Sequence, residues 1–133
     1  MNKWGNRMFL VFSHKMTRDQ IRDAELSLGV TTLVEMPDNL KELWRQISPL
    51  PAKINDLLEP LRQWLETAAN PLDFVLIQGD FGATWLMVDF VFKQGLVPVY
   101  SITRREAGET VLPDGSVKME HLFHHQQFRR YGC

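Results

Sequence analysis

The stretch that most constrains this chain is DFVLIQGDFGATWLMVDFVFKQG, residues 73–95. Phe74 to Ile77 is an unbroken apolar run that stops at Gln78-Gly79-Asp80. A run of that length, ended by a turn signal, suits a strand buried on both faces. The apolar segment after Gly82 is too long for a second strand. Ala83, Leu86, Met87, Phe90 and Val91 recur at helical spacing, and Gly95 supplies a stop. The stretch therefore predicts a strand, a tight glycine turn and a helix N-terminus, an arrangement that presents backbone N–H groups to an anion.

The rest of the chain repeats that alternation. Met8 to Phe12 reads as an apolar first strand ending at Ser13-His14. Thr17 with Gln20 three residues on forms a capping box, Gly29 closes the helix, and Ile21, Ala24 and Leu28 mark its inner face. Asp23 and Glu25 fall on wetter positions. Val30 to Glu35 is the second strand, and Pro37-Asp38 opens a short helix over 39–47. Ser48-Pro49-Leu50-Pro51 is a brief linker. Residues 53–68 form an amphipathic helix that Pro60 should kink or divide. Leu96 to Ile102 is the fourth strand, and Pro98 within it points to a sheet edge. Thr103-Arg104-Arg105 should end that strand on the ligand rim. Short strands over 109–112 and 117–123 should then pair across Pro113-Asp114-Gly115-Ser116.

Strand–helix alternation predicts an α/β, Rossmann-like three-layer fold with a mainly parallel sheet, strand order 2-1-3-4, and a C-terminal β-hairpin. One domain spans 1–133. The order places a switch point between strands one and three, where ligands settle at the carboxyl ends. Ser13-His14-Lys15 and Gln78 to Thr84 flank it, with Thr103 to Arg105 beside them.

A formal charge of -1 gives no general basic field, so long nucleic acid is not an expected partner. The sole cysteine, Cys133, permits no intrachain disulfide and no multi-cysteine site. The apolar start is too short for a secretory signal, and nothing reaches membrane-spanning length, so a soluble cytoplasmic protein is expected. His121, His124 and His125 lack a convincing metal spacing, because adjacent residues on a strand point to opposite faces. Neither a metal nor another cofactor is expected.

Several residues carry candidate roles, each with a plainer alternative. Gly79 and Gly82 could let backbone approach a phosphate, with Thr84 adding a hydroxyl; alternatively they only make the turn, with Asp80 capping the helix. Asp80 argues against a simple phosphate cradle, so the loop is expected to grip ribose and backbone as well. Ser13 and His14 could act on a reacting hydroxyl or phosphoryl oxygen, or be a cap and a surface histidine. Arg104 and Arg105 could hold phosphate bidentately, or be a solvated pair. Trp85, Phe90 and Phe92 carry apolar surface around most of their helix, which suggests a central position or a subunit contact. A phospho-receiver is disfavoured because the first strand does not end in an acidic pair. A dinucleotide enzyme is disfavoured because no G-x-G-x-x-G follows that strand.

LVFSH, FVLIQGDFGATWLMVDF, LVPVYSITRR and HLFHHQQFRRY together resemble the small stand-alone CRISPR-associated proteins of type III systems. These are ring nucleases related to the CRISPR-associated Rossmann fold. The most specific parts are QGDFGAT and the FxHxxFRxY-like ending of Phe123, His125, Phe128, Arg129 and Tyr131. The resemblance implies a homodimer that binds cyclic tetra-adenylate across a two-fold axis and cleaves it without metal. A ribose 2′-hydroxyl would attack the adjacent phosphate, leaving linear adenylates with 2′,3′-cyclic phosphate ends and switching the antiviral signal off. On that reading Ser13, His14 and Arg104 are the catalytic candidates. Gln78, Gly79, Asp80, Phe81, Gly82, Thr84, Thr103, Arg105, His125 and Arg129 are the ligand-binding candidates. A non-catalytic binder that sequesters the same ligand, or an unrelated flavodoxin-like regulatory module, would use the same loops.

Overall fold

Two apolar strands side by side, Arg7–Phe12 (β1) and Phe74–Gln78 (β3), form the centre of the molecule. They pair in parallel from Met8 opposite Phe74 to Phe12 opposite Gln78. The computed structural model describes residues 4–133, apart from the side chains of residues 106, 120, 121 and 122. Around the central pair lie β2 (Thr32–Glu35), β4 (Val97–Val111) and β5 (Val117–Arg130), in the order β2-β1-β3-β4-β5. The first four strands are parallel, and β5 runs antiparallel to β4.

The helices are α1 (Arg18–Leu28), α2 (Asp38–Arg45), α3 (Glu59–Ala68) and α4 (Phe81–Lys93). Side chains of the central strands alternate between two cores, as the pleat requires. Phe9, Val11, Val75 and Ile77 pack under α2, α3 and α4 with Leu40, Trp44, Leu61, Leu65, Met87 and Val91. Met8, Leu10, Phe74, Leu76, Val97 and Val99 pack under α1 with Ala24 and Ile21. The expected α/β layering and the strand order 2-1-3-4 are therefore present, consistent with a Rossmann-like arrangement. The helices begin and end where local chemistry dictates. Thr17 and Gln20 form the capping box, and Gly29 closes α1 at φ 70°. Pro60 does divide its segment: a 3-10 turn, Asn55–Leu58, precedes α3, and the proline falls in the first helical turn, where its missing N–H costs nothing.

Two expectations are corrected. Pro98 does not mark an edge, because β4 lies between β3 and β5. It is tolerated because it is the second residue of its strand, ahead of the β5 ladder that begins at Val99, and its carbonyl still accepts from Tyr131 N–H at 3.0 Å. The hairpin is also not a pair of short strands separate from the fourth. β4 runs straight through Thr103-Arg104-Arg105, and the whole of Val117–Arg130 is its partner. The register slips once, between Ile102 (opposite Gln127) and Thr103 (opposite His125), a bulge at the height of the parallel sheet's rim. Beyond it the ribbon projects past the rim.

Candidate functional site

The carboxyl end of β1 opens onto a rim that His14 divides into two cavities, neither of them lined by β3 or by the loop after it. On one side, Phe12, Ser13, His14 and Lys15 meet Glu35, Met36 and Lys41 around a cavity of about 280 Å³. On the other, Phe12, His14 and Lys15 meet Thr17, Gln20, Thr103, Phe123, His124 and His125 around a cavity of about 370 Å³. Loop β1–α1 places these groups. Ser13 and His14 are exposed between the buried end of β1 and the Thr17 cap, and the His14 ring leans edge-on against Phe12 at 5.4 Å. Lys15 lies on both cavities, and Lys41 stands 3.3 Å from Glu35. The smaller cavity thus gathers a hydroxyl, an imidazole and two ammonium groups, one of them paired with Glu35, a set that can meet an anionic ligand.

The β3–α4 loop is bound up with the fold. Asp80 caps α4, its carboxylate accepting from Ala83 N–H at 3.0 Å, so one of the helix's first amides is already satisfied. Gly79 lies against the Trp44 indole: a Cβ there would meet Nε1 at 2.7 Å. Trp44 in turn donates that N–H to the Gln78 carbonyl at 2.9 Å, so the glycine is needed for helix α2 to seat on the rim. Gly82 is under no such pressure, its nearest neighbours to an added Cβ lying at 3.6 Å. Gln78 turns its side chain towards β4, where Oε1 accepts from Ser101 N–H at 2.8 Å. Thr84 Oγ1 is buried with no hydrogen-bond partner among the described residues. Phe81 is almost fully exposed at the start of α4.

Behind the larger cavity runs a chain of hydrogen bonds that the sequence did not disclose. Gln20 Nε2 donates to Ser101 Oγ at 3.3 Å; Ser101 Oγ lies 2.6 Å from His125 Nδ1; His125 Nε2 lies 2.8 Å from Asp23 Oδ2. An ionised carboxylate only accepts, so Nε2 carries a proton and donates to Asp23. Burial pushes the Asp23 carboxyl up, but hydrogen bonds from Ser27 and His125, the His125 charge and a Phe128 backbone bond outweigh it and hold it below its ordinary value. Serine, imidazole and carboxylate in series match the order of a hydrolytic triad. Here, however, Ser101 is buried, its N–H is engaged by Gln78, and it lines neither rim cavity. The chain fastens β5 to α1.

Gln20 is the reason it stayed hidden. Its Oε1 completes the capping box by accepting from Thr17 N–H at 2.9 Å while its amide reaches inward, so a residue read as a surface cap is buried. Asp23, read as a wet position, has a side chain only 22% exposed, and that of His125 is 4% exposed.

Of the sequence candidates, the rim brings Ser13, His14, Thr103 and His125 together. Arg104 and Arg105 sit opposite His124 and Phe123 within the projecting ribbon rather than at the end of a strand, both exposed, and they line neither cavity. Arg129 pairs with Tyr100 lower on the sheet and lines neither cavity. Tyr131 donates its hydroxyl to the Ile77 carbonyl at 2.6 Å, and Phe128 packs on His125 at 4.6 Å, so part of the C-terminal motif serves as a fastener for the last strand. The side chain of His121 lies outside the described residues. Lys15, Lys41 and Phe123 were not singled out as site residues; Lys15 could have been, since it follows His14 directly. No helix among the described residues is long and apolar enough to cross a membrane.

The chain is similar to known proteins over nearly its whole length. The model of the uncharacterized protein MJ1673 family matches residues 6–129. The uncharacterized protein MJ1673 of Methanocaldococcus jannaschii is 46% identical over 125 residues, covering 94% of this chain and 96% of that relative. No solved structure matches.

Proposed function

The chain belongs to the uncharacterized protein MJ1673 family, and for this member we propose a metal-independent ring nuclease of Rossmann-like fold that acts as a homodimer on cyclic tetra-adenylate. The observation that carries the reading is the divided rim: two cavities of about 280 and 370 Å³ share Phe12, His14 and Lys15 at the carboxyl end of β1. Repeating ribose-phosphate units suit such a pair of adjoining recesses that share a lysine, and the carboxyl ends of strands are where open sheets of this type bind ligands.

In the proposed reaction the ligand supplies its own nucleophile, a ribose 2′-hydroxyl. The protein's task is to hold that oxygen in line with the phosphorus and to stabilise the developing charge. Ser13 orients the ribose, His14 takes or returns a proton, and Lys15 offsets the phosphate charge, with Thr103 and the loop Gln78 to Thr84 bounding the ring. Arg104 and Arg105 reach it from the ribbon. Asp80 and Gly79 already have structural partners, which leaves Ser13-His14 as the chemical centre of this proposal.

The test is incubation of pure protein with internally labelled cyclic tetra-adenylate in EDTA. Linear products with 2′,3′-cyclic phosphate ends are expected, with a loss of at least about tenfold in His14→Ala for general acid–base work. A ring that binds tightly yet survives long single-turnover incubation would make the protein a sequestering binder, and a ring that does not bind would remove the reading altogether.

A further inference from the structure

Helix α4 keeps one face that the core does not use. Ala83, Met87 and Val91 are buried against the sheet. Phe81, Trp85 and Phe92 face away and are 95%, 68% and 50% exposed. With Val88, which is half-buried and packs in part against the core, they occupy positions 81, 85, 88 and 92, a 4-3-4 spacing that falls within about 60° of the helix circumference at 3.6 residues per turn. That is the spacing of a seam between two helices, not of a solvated face. Large aromatic side chains bury about 150–250 Å² each, so these three rings alone expose roughly 450 Å², more than half of the ~800 Å² per partner of a stable interface.

The surroundings favour a second copy of the chain. The apolar surface continues at the foot of α4, where Phe92 borders a groove of about 260 Å³ lined by Trp4, Leu72, Pro98 and Tyr131. Along one flank the charges are already matched, with Lys93 Nζ 2.8 Å from Asp89, so two copies would not oppose like charges there. A membrane surface would ask for a cationic border, and α4 carries a single basic residue, Lys93, already paired with Asp89.

A two-fold pair of helices is either antiparallel or parallel. Antiparallel packing sends the two rims to opposite ends. Parallel packing sets both Phe81 ends, and the β3–α4 loops preceding them, on one side. We propose that α4 is the seam of a parallel two-fold homodimer, with Trp85 at its centre and the two rims side by side. The seam rests on the exposed stripe, while its parallel sense rests on the reading of a single ring ligand shared by both rims.

The experiments need no ligand, so their failure is separate from failure of the cleavage assay. Sedimentation of the full chain up to about 100 µM should show a dimer, a range well above a micromolar Kd. Trp85→Glu should weaken association by more than about tenfold while far-UV circular dichroism stays unchanged, and Trp85→Ala should do so without adding charge. In a Cys133→Ser background, Phe81→Cys and Phe92→Cys should each form disulfide-linked dimers under mild oxidation. A monomeric wild type, or a dimer indifferent to both Trp85 substitutions, would overturn the seam. Crosslinking through Trp85→Cys but not Phe81→Cys would overturn the parallel arrangement.

Discussion

At the scale of single residues, the two glycines of the QGDFGAT loop have opposite reasons to be glycine. A Cβ at Gly79 would press on the Trp44 indole at 2.7 Å, and that ring is held in place by its Nε1–H bond to the Gln78 carbonyl. Overpacking of this sort costs about 1–3 kcal/mol, so Gly79→Ala should lower the melting temperature measurably. Gly82 is inside the first turn of α4 with room for a methyl group, and alanine there removes backbone freedom from the unfolded chain. Gly82→Ala should raise stability by about 0.5–1 kcal/mol. Thermal melts of both variants decide it; equal losses would show that the loop's shape, not its packing, sets both positions. Asp23 gives a second residue-scale prediction. Its folded-state carboxyl is held low, so its contribution is present above about pH 4, where an unfolded aspartate is ionised, and is lost as pH falls through the lower folded value. The stability advantage of wild type over Asp23→Asn should therefore be present at about pH 5 and shrink below about pH 4. A gap that held to pH 2 would mean that Asp23 is not paired as described.

At the scale of elements, the ribbon of β4 and β5 divides into a part that belongs to the sheet and a part that does not. Up to Thr103 it carries Val97, Val99 and Ser101 into buried positions, and the Gln20–Ser101–His125–Asp23 chain ties it to α1. Beyond that, its described side chains are exposed, including Val111, Val117 and Met119. Replacing residues 106–122 with an Asn-Gly turn, which closes a two-residue hairpin, should leave global stability within about 1 kcal/mol. His125→Ala should cost about 1–3 kcal/mol by leaving Ser101 and Asp23 without their shared partner. Denaturant unfolding of the two variants separates them. The same division explains what could be read in advance. Strands β1 to β3, the capped helices and the break at Pro60 follow from local periodicity and backbone chemistry, which sequence displays directly. So did Ser13-His14 at the rim, because strand order alone fixes where β1 ends. The length of the ribbon did not, because its register depends on a bulge at Ile102/Thr103 and on polar contacts between residues 81 to 102 positions apart in the chain. No window of sequence contains both ends of such a contact.

At the scale of the whole molecule, the two ends of the sheet do different work. At the amino end Arg7 and Asp73 form a partly buried pair at 2.8 Å, and Arg7 also donates to the Ala68 carbonyl at 3.0 Å, closing the sheet against α3. At the carboxyl end the β3 carbonyls of Ile77 and Gln78 are held by Tyr131 and Trp44, while Ser13, His14 and Lys15 remain exposed on the β1 loop. Rigid strands beneath an exposed polar loop are the condition for binding a ligand without distorting the core. Binding that favours the folded state stabilises it by about 2.7 kcal/mol at a hundred times Kd. For a chain of this size each kcal/mol moves the melting temperature by roughly 3–5 °C. Cyclic tetra-adenylate at saturating concentration should therefore raise the melting temperature by about 8–13 °C, by the same two relations. On the proposed reading Lys15 binds the ring while His14 acts on it, so His14→Ala should keep most of that shift, and Lys15→Ala should lose much of it. If neither the wild type nor the His14 variant responds to the ring, the rim is not its site, however well its cavities fit.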